Sequence, residues 1–185
     1  YGINLRPLAT FAADAYANDP CTAFALKGNP GLSEAETRLT EKVQKAMAVI
    51  QFKVEAALIA ENPSFGLDDR NLLHLIDRER GTVMVDGVEY ELLDTTFPTV
   101  DWDDPYRLTE DEAAVIEQLC AAFTGSERLQ RHMRFFLDRG SLYKIENGNL
   151  MLHACVPLAA DGSLLEVTLF GKTYRGRALY DMVDA

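Results

Sequence analysis

The feature that most constrains this chain is one long helix written between two clear boundary signals. Ser33 can act as an N-cap, and Glu36 three residues on completes a capping box, in which each side chain satisfies a backbone N–H at the helix start. Asn62-Pro63 closes the run, because proline disfavours helical backbone at the residue before it. Between these signals Leu39, Val43, Ala46, Met47, Ile50, Val54 and Leu58 recur at helical spacing and predict a single apolar stripe. A helix reaching residue 61 is ~40 Å long at the α-helical rise. Such a helix has to pack against more than one layer, and its stripe serves equally as core or as a subunit interface.

Shorter elements surround it. Leu5, Leu8, Ala9, Ala12, Ala15 and Tyr16 predict an earlier helix that Asn18-Asp19-Pro20 stops, and residues 27–31, Lys-Gly-Asn-Pro-Gly, form a breaker cluster. A helical stretch is expected over residues 68–77. Two β-prone runs, 82–85 and 88–92, are joined by Asp86-Gly87, a pair suited to a hairpin turn whose central residues both need positive φ. The acidic loop around Trp102 lacks the order of an EF-hand calcium loop and reads as a solvated turn about a packed tryptophan. Thr109 and Glu112 form a second capping box, with Val115, Ile116, Leu119, Ala122 and Phe123 as the apolar face behind it. Gly125-Ser126 breaks and restarts a helix bearing Leu129, Met133, Phe136 and Leu137, which Gly140 is expected to end as a left-handed cap. Strands follow over 141–145 and 150–153 about an Asn147-Gly148 turn. Another β stretch, 164–170, turns at Gly171-Lys172, and a last helix begins near Gly176. The fold class is α+β, helix-rich with β-hairpins.

Charge narrows the functional classes. The chain has 185 residues, 29 Asp and Glu against 18 Lys and Arg, and a net charge of -11, with no Lys/Arg run. That balance argues against nucleic acid and against an anionic membrane surface. No apolar stretch approaches the ~18 residues needed to span a bilayer. Three cysteines, Cys21, Cys120 and Cys155, odd in number and far apart, fit reduced thiols in a cytoplasmic protein. Tyr1 rather than Met opens the chain and a helical pattern runs into its last residues, so the expectation is a piece of a longer protein.

Few residues carry chemistry of their own. Gly171-Lys172-Thr173 resembles the end of a phosphate-binding loop, but Glu166 stands where that loop needs glycine, so a hairpin turn is expected. Asp138-Arg139-Gly140 lacks the preceding Gly-Asp of a metallophosphatase loop and reads as surface beside a helix end. His153 ends an apolar β run, Leu150-Met151-Leu152, at the expected mouth of a buried strand, where an imidazole serves either as a satisfied core residue or as a metal ligand. His74 and His132 fall on expected helices, and Cys155 beside His153 falls short of a zinc signature. Lys172, Arg175 and Arg177 form a basic cluster near the C-terminus, able to pair with a phosphate or to balance local acid.

Several segments in order resemble one family. They are 48–55 (Ala-Val-Ile-Gln-Phe-Lys-Val-Glu), Asn62-Pro63 with Leu67-Asp68-Asp69-Arg70, and 93–99 (Leu-Asp-Thr-Thr-Phe-Pro-Thr), followed by 140–143 (Gly-Ser-Leu-Tyr) and 147–157 from Asn147-Gly148 to Val156-Pro157. Their order and spacing, over about residues 2–182, are similar to the class III, Firmicutes-type fructose-1,6-bisphosphatases. The resemblance implies a relative of the calcineurin-like metallophosphatases with two divalent ions, typically manganese, bridged by carboxylates. It places the Asp-x-His, Gly-Asp-x-x-Asp-Arg-Gly and Gly-Asn-His-Asp motifs before Tyr1 and a Gly-His-Thr motif after Ala185. His153 then matches the metal-ligand histidine that follows the insertion. Ala154 departs from the family's His-Gly-Cys.

On this reading residues 1–140 are a mainly helical insertion or cap with a hairpin near 82–92. Residues 141–185 hold strands and a last helix belonging to or bordering the metallophosphatase core. The implied activity is hydrolysis of fructose 1,6-bisphosphate to fructose 6-phosphate and phosphate, in gluconeogenesis, by a cytoplasmic manganese enzyme whose sugar bisphosphate substrate is held in part by Lys172, Arg175 and Arg177. The isolated chain is expected to be inactive, since one histidine cannot hold two metal ions. The rival is a non-catalytic acidic helical module that forms a homo-oligomer through the long helix.

Overall fold

The computed structural model describes residues 1–28, 31–153 and 155–185. The chain separates into two compact units, Tyr1–Glu127 and Arg128–Ala185. This is a division of contacts, distinct from the functional division at residue 140 drawn from the sequence. Helices α1 (Arg6–Ala15) and α2 (Glu34–Glu61) open the first unit. In the capping box of α2, Ser33 N donates to Glu36 Oε2 at 2.8 Å and Glu36 N to Ser33 Oγ at 3.3 Å. Asn29 and Pro30 of the breaker cluster lie outside the described residues.

The buried face of α2 is not the expected stripe. Ala46 and Ile50 are buried as predicted, but Leu39, Met47, Val54 and Leu58 are 38 to 54% exposed. The helix instead buries Lys45, Val49, Lys53, Ala56 and Ile59. These residues also follow helical spacing, on a face rotated from the apolar one. The reason is electrostatic. Both lysines find buried acidic partners, so the face that carries them can leave water, and the purely apolar face is left outward.

Residues 68–77 form no continuous helix. A short 3-10 turn at Pro63–Phe65 precedes the segment, which itself holds turns at Asp68–Arg70 and Leu73–Leu75, then strand β1 (Ile76–Asp77). Strand β2 (Thr82–Val85) pairs antiparallel with β1 and with β3 (Val88–Glu91), giving a three-stranded sheet in the order β1-β2-β3. The register Val85↔Val88 leaves Asp86 and Gly87 as the turn, with φ of 50° and 78°, as the Asp-Gly pair requires. Trp102 is half-buried, edge-on to Phe97 at 5.6 Å and beneath the Arg78 guanidinium at 5.0 Å. Helix α3 (Glu110–Thr124) begins at the second capping box, Thr109 with Glu112. Leu8, Phe11, Ala12 and Tyr16 of the α1 region pack with Ala46, Ile50 and Val115 into one core that joins the three helices.

The second unit holds most of α4 (Glu127–Arg139), the hairpin β4 (Tyr143–Glu146) with β5 (Asn149–Leu152), the hairpin β6 (Val167–Leu169) with β7 (Lys172–Tyr174), and α5 (Arg177–Asp184). Gly140 does not take the left-handed conformation expected of it. Its N–H donates to Phe136 O at 2.7 Å, and a Cβ there would collide with that same carbonyl, so close approach rather than positive φ selects glycine. The second hairpin turns one residue earlier than expected, at Phe170-Gly171, with Phe170 at φ 50° and almost fully exposed. Strand β5 is not buried. Among the described residues it pairs only with β4, in a two-stranded sheet, and Leu150 and Met151 are exposed. Leu179 is the one buried hydrophobic residue of this unit among the described residues. Among the described residues no helix is long and apolar enough to cross a membrane.

Candidate functional site

His153 is the first residue after β5 and is exposed. What fixes that end of the strand is α5. The Asp184 carboxylate accepts from Ser141 Oγ at 2.6 Å and Leu142 N at 3.0 Å, and the Tyr143 hydroxyl donates to Asp181 Oδ1 at 2.7 Å. The Tyr180 hydroxyl donates to the Cys155 carbonyl at 3.0 Å, two residues beyond His153. Tyr143 and Tyr180 meet edge-on with centroids 5.9 Å apart. Both the entry to β4 and the exit from β5 are thus tied to one short helix. Ala154, the departure from His-Gly-Cys, lies outside the described residues.

The basic residues near the C-terminus are placed on separate pieces of the second unit. Lys172 opens β7 opposite Leu169, and no ion pair holds it among the described residues. Arg175 Nη1 lies 3.6 Å from Glu166 Oε1, and Arg177 Nε lies 3.4 Å from Asp181 Oδ2 at the start of α5. Arg177 also stands over the Tyr143 ring at 5.8 Å. The Tyr143 phenol is pushed up, chiefly by its hydrogen bond to Asp181, and the Arg177 guanidinium is held up mainly by its electrostatic interaction with Tyr143. Both arginines already face an acid. Exposed pairs of this kind are worth little, so a dianionic phosphate competes for either guanidinium at small cost.

Manganese fits this chain poorly on its own. Among the described residues no group of three or more His, Cys, Asp or Glu side chains could hold a metal ion. A single exposed imidazole leaves most of the coordination shell of either ion unfilled. His74 lies on a 3-10 turn rather than a longer helix, its Nδ1 2.6 Å from the Tyr106 hydroxyl, and His132 lies on α4.

The polar groups that sequence reasoning missed lie inside the first unit. Lys45 Nζ donates to both oxygens of Asp19 and to Asp94 Oδ1, each at 2.7 Å, with all three side chains at least nine-tenths buried. Lys53 Nζ donates to Glu112 Oε2 at 2.6 Å and to the Thr99 carbonyl at 2.7 Å, both of its charged groups fully buried. Glu112 is also the capping-box acid of α3, accepting from Thr109 N at 2.8 Å. The buried Cys21 thiol is raised to about 11, first by burial and then by Asp19, and burial likewise raises the Tyr16 phenol. The available signal was the spacing of eight between the lysines, on the same helical face as Val49.

The architecture is that of a helical unit followed by a hairpin unit that projects a histidine from a strand end. Residues 1–185 match the Firmicute fructose-1,6-bisphosphatase family, and the chain belongs to it. The chain is 50% identical over its whole length to a class 3 fructose-1,6-bisphosphatase of Clostridium novyi, 49% identical to that of Bacteroides thetaiotaomicron and 42% identical to that of Listeria innocua. In each case it covers 28% of the relative's length. No solved structure matches the chain significantly.

Proposed function

We propose that this chain is a segment of a class 3 fructose-1,6-bisphosphatase, a cytoplasmic phosphoric monoester hydrolase of gluconeogenesis that converts fructose 1,6-bisphosphate to fructose 6-phosphate and phosphate. The observation that carries the reading is 50% identity across the entire chain to a protein of that name. The covered 28% is too small a share to be the whole catalyst. On this reading the segment is inactive alone, and the remaining ligands come from the rest of a longer chain. Bound manganese would supply Lewis-acid activation of the phosphoryl group and of water. His153 would offer one imidazole to that centre, and Tyr180 and Asp184 would keep the adjoining backbone in register. Lys172, Arg175 and Arg177 would hold the phosphate that is not being cleaved, because guanidinium forks match phosphate oxygens. Strand β5 would then border the metallophosphatase core, which explains apolar strand residues left exposed here.

The test is phosphate release from fructose 1,6-bisphosphate, with and without manganese, by a full-length protein carrying this segment and by the 185-residue chain. Metal-dependent release by the first and none by the second supports the assignment. No release by the full-length protein overturns it.

A further inference from the structure

Helix α4 is amphipathic yet buries none of its described residues. Met133, Phe136 and Leu137 are 46 to 80% exposed. With Leu129 they stand at i, i+4, i+7 and i+8, which makes one apolar stripe along a helix ~20 Å long. Arg134 and Arg139 flank that stripe on its two sides. The helix carries four arginines against Glu127 and Asp138, in a chain whose net charge is -11. Arg134 Nε donates to Gln130 O of its own helix at 3.3 Å, and its charge meets no acid among the described residues.

The first unit carries the complementary surface. Helices α1 and α3 share its core and leave between them an open groove of about 670 Å³. Phe11, Ala15, Ala114 and Val115 line it. Each helix also contributes one exposed acid to the lining, Asp14 from α1 and Asp111 from α3, and neither enters an ion pair among the described residues. An apolar floor with an acid from each wall suits an amphipathic helix whose apolar stripe runs between two cations.

We propose that this groove receives α4 of a second copy of the chain, with the Met133, Phe136 and Leu137 stripe on the groove floor and Arg134 and Arg139 meeting Asp14 and Asp111. The exchange is reciprocal, so a two-fold dimer fills both grooves and leaves no open end. The dimer is independent of the phosphatase assignment, of His153 and of the outward face of α2.

The test is sedimentation equilibrium of the 185-residue chain at low and high salt. A concentration-dependent dimer is expected, and it should weaken as salt rises, because exposed charges are screened. Arg134→Glu with Arg139→Glu touches no buried residue and should weaken the dimer at least about tenfold, since like charges then face each other. Asp14→Lys with Asp111→Lys should do the same. An equimolar mixture of the two double variants restores opposite charges at both contacts and should dimerise with near-native affinity. Met47→Glu should leave the dimer intact. Circular dichroism checks that each variant is folded; should the aspartate variant unfold, the arginine variant and Phe136→Ser, both on an exposed helix, still decide the matter. A monomeric native chain, a dimer unaffected by the arginine reversal or by Phe136→Ser, a mixture of folded variants that stays monomeric, or a dimer broken by Met47→Glu would each overturn the proposal.

Discussion

Lys53→Met should cost the first unit far more stability than the loss of one hydrogen bond. In the native fold Lys53 Nζ lies 2.6 Å from Glu112 Oε2 and 2.7 Å from the Thr99 carbonyl, with no solvent on either charge. Glu112 Oε1 is already buried with no hydrogen-bond partner among the described residues. Removing the ammonium leaves a desolvated carboxylate with only the Thr109 N–H to hold it, and breaking a buried pair from one side costs about 3–5 kcal/mol. That is a large fraction of the roughly 5–15 kcal/mol that holds an ordinary domain together. At a urea dependence of about 2 kcal/mol per M, the midpoint should fall by about 2 M. Trp102, the single tryptophan of the chain, sits against Phe97 in this unit, so its fluorescence reports the transition. The double variant Lys53→Met with Glu112→Leu should recover much of the loss, because replacing a whole buried pair by apolar groups is often nearly neutral. It should remain about 1–2 kcal/mol below the native chain, through the weakened capping box and the Thr99 carbonyl left without its donor. A double variant as unstable as the single one would refute the reasoning.

Other perturbations separate the remaining parts of the account. Because the folded Cys21 thiol is raised from 9.0 to about 11, the native state holds a proton that the unfolded state has released. Stability should therefore fall as pH rises between those values, and the slope in urea midpoints should shrink in Cys21→Ala. A thiol titration should modify the exposed Cys120 and Cys155 first and reach Cys21 only on unfolding. Gly140→Ala should destabilise the end of α4 by about 1 kcal/mol or more, read as faster amide exchange there, since its Cβ would strike the Phe136 carbonyl. Asp184→Ala removes the acceptor of Ser141 and Leu142 and should loosen β4 and β5 by about 1 kcal/mol, measured by amide exchange along the hairpin. In a full-length enzyme Arg175→Ala should raise KM for fructose 1,6-bisphosphate, and an unchanged KM would remove Arg175 from the phosphate site.

The helix ends were legible because capping is local: Ser33 with Glu36 and Thr109 with Glu112 need only their own few residues. The same holds for Asp86-Gly87, whose backbone preference specifies the turn. The face of α2 was not legible, because burial of Lys45 and Lys53 depends on Asp19, Asp94 and Glu112, which approach from distant points of the sequence. Residues 68–77 carry helical composition but fold as short turns feeding β1, where pairing with β2 overrides propensity. Gly140 and Phe170 show the limits of reading glycine alone: one glycine serves close approach, while an aromatic residue takes the positive φ. His153 stood out by its place after an apolar strand. Its proposed role came only from the family resemblance, since no companion ligands gather around it among the described residues.

The outward face of α2, Leu39, Met47, Val54 and Leu58, suits the oligomerising module as well as it suits packing by the rest of a longer enzyme. Sedimentation of the 185-residue chain bears on that choice. A monomer at high concentration, unchanged by Met47→Glu, would remove the rival.

The most direct measurement compares a full-length enzyme carrying this segment with its His153→Ala variant, reading manganese bound per chain and phosphate released from fructose 1,6-bisphosphate in the same samples. The account predicts metal-dependent release by the native enzyme, and a variant that folds but loses bound manganese together with activity. A variant that keeps its full manganese content and rate would contradict the role given to His153, and a native enzyme that releases no phosphate with manganese present would contradict the assignment itself.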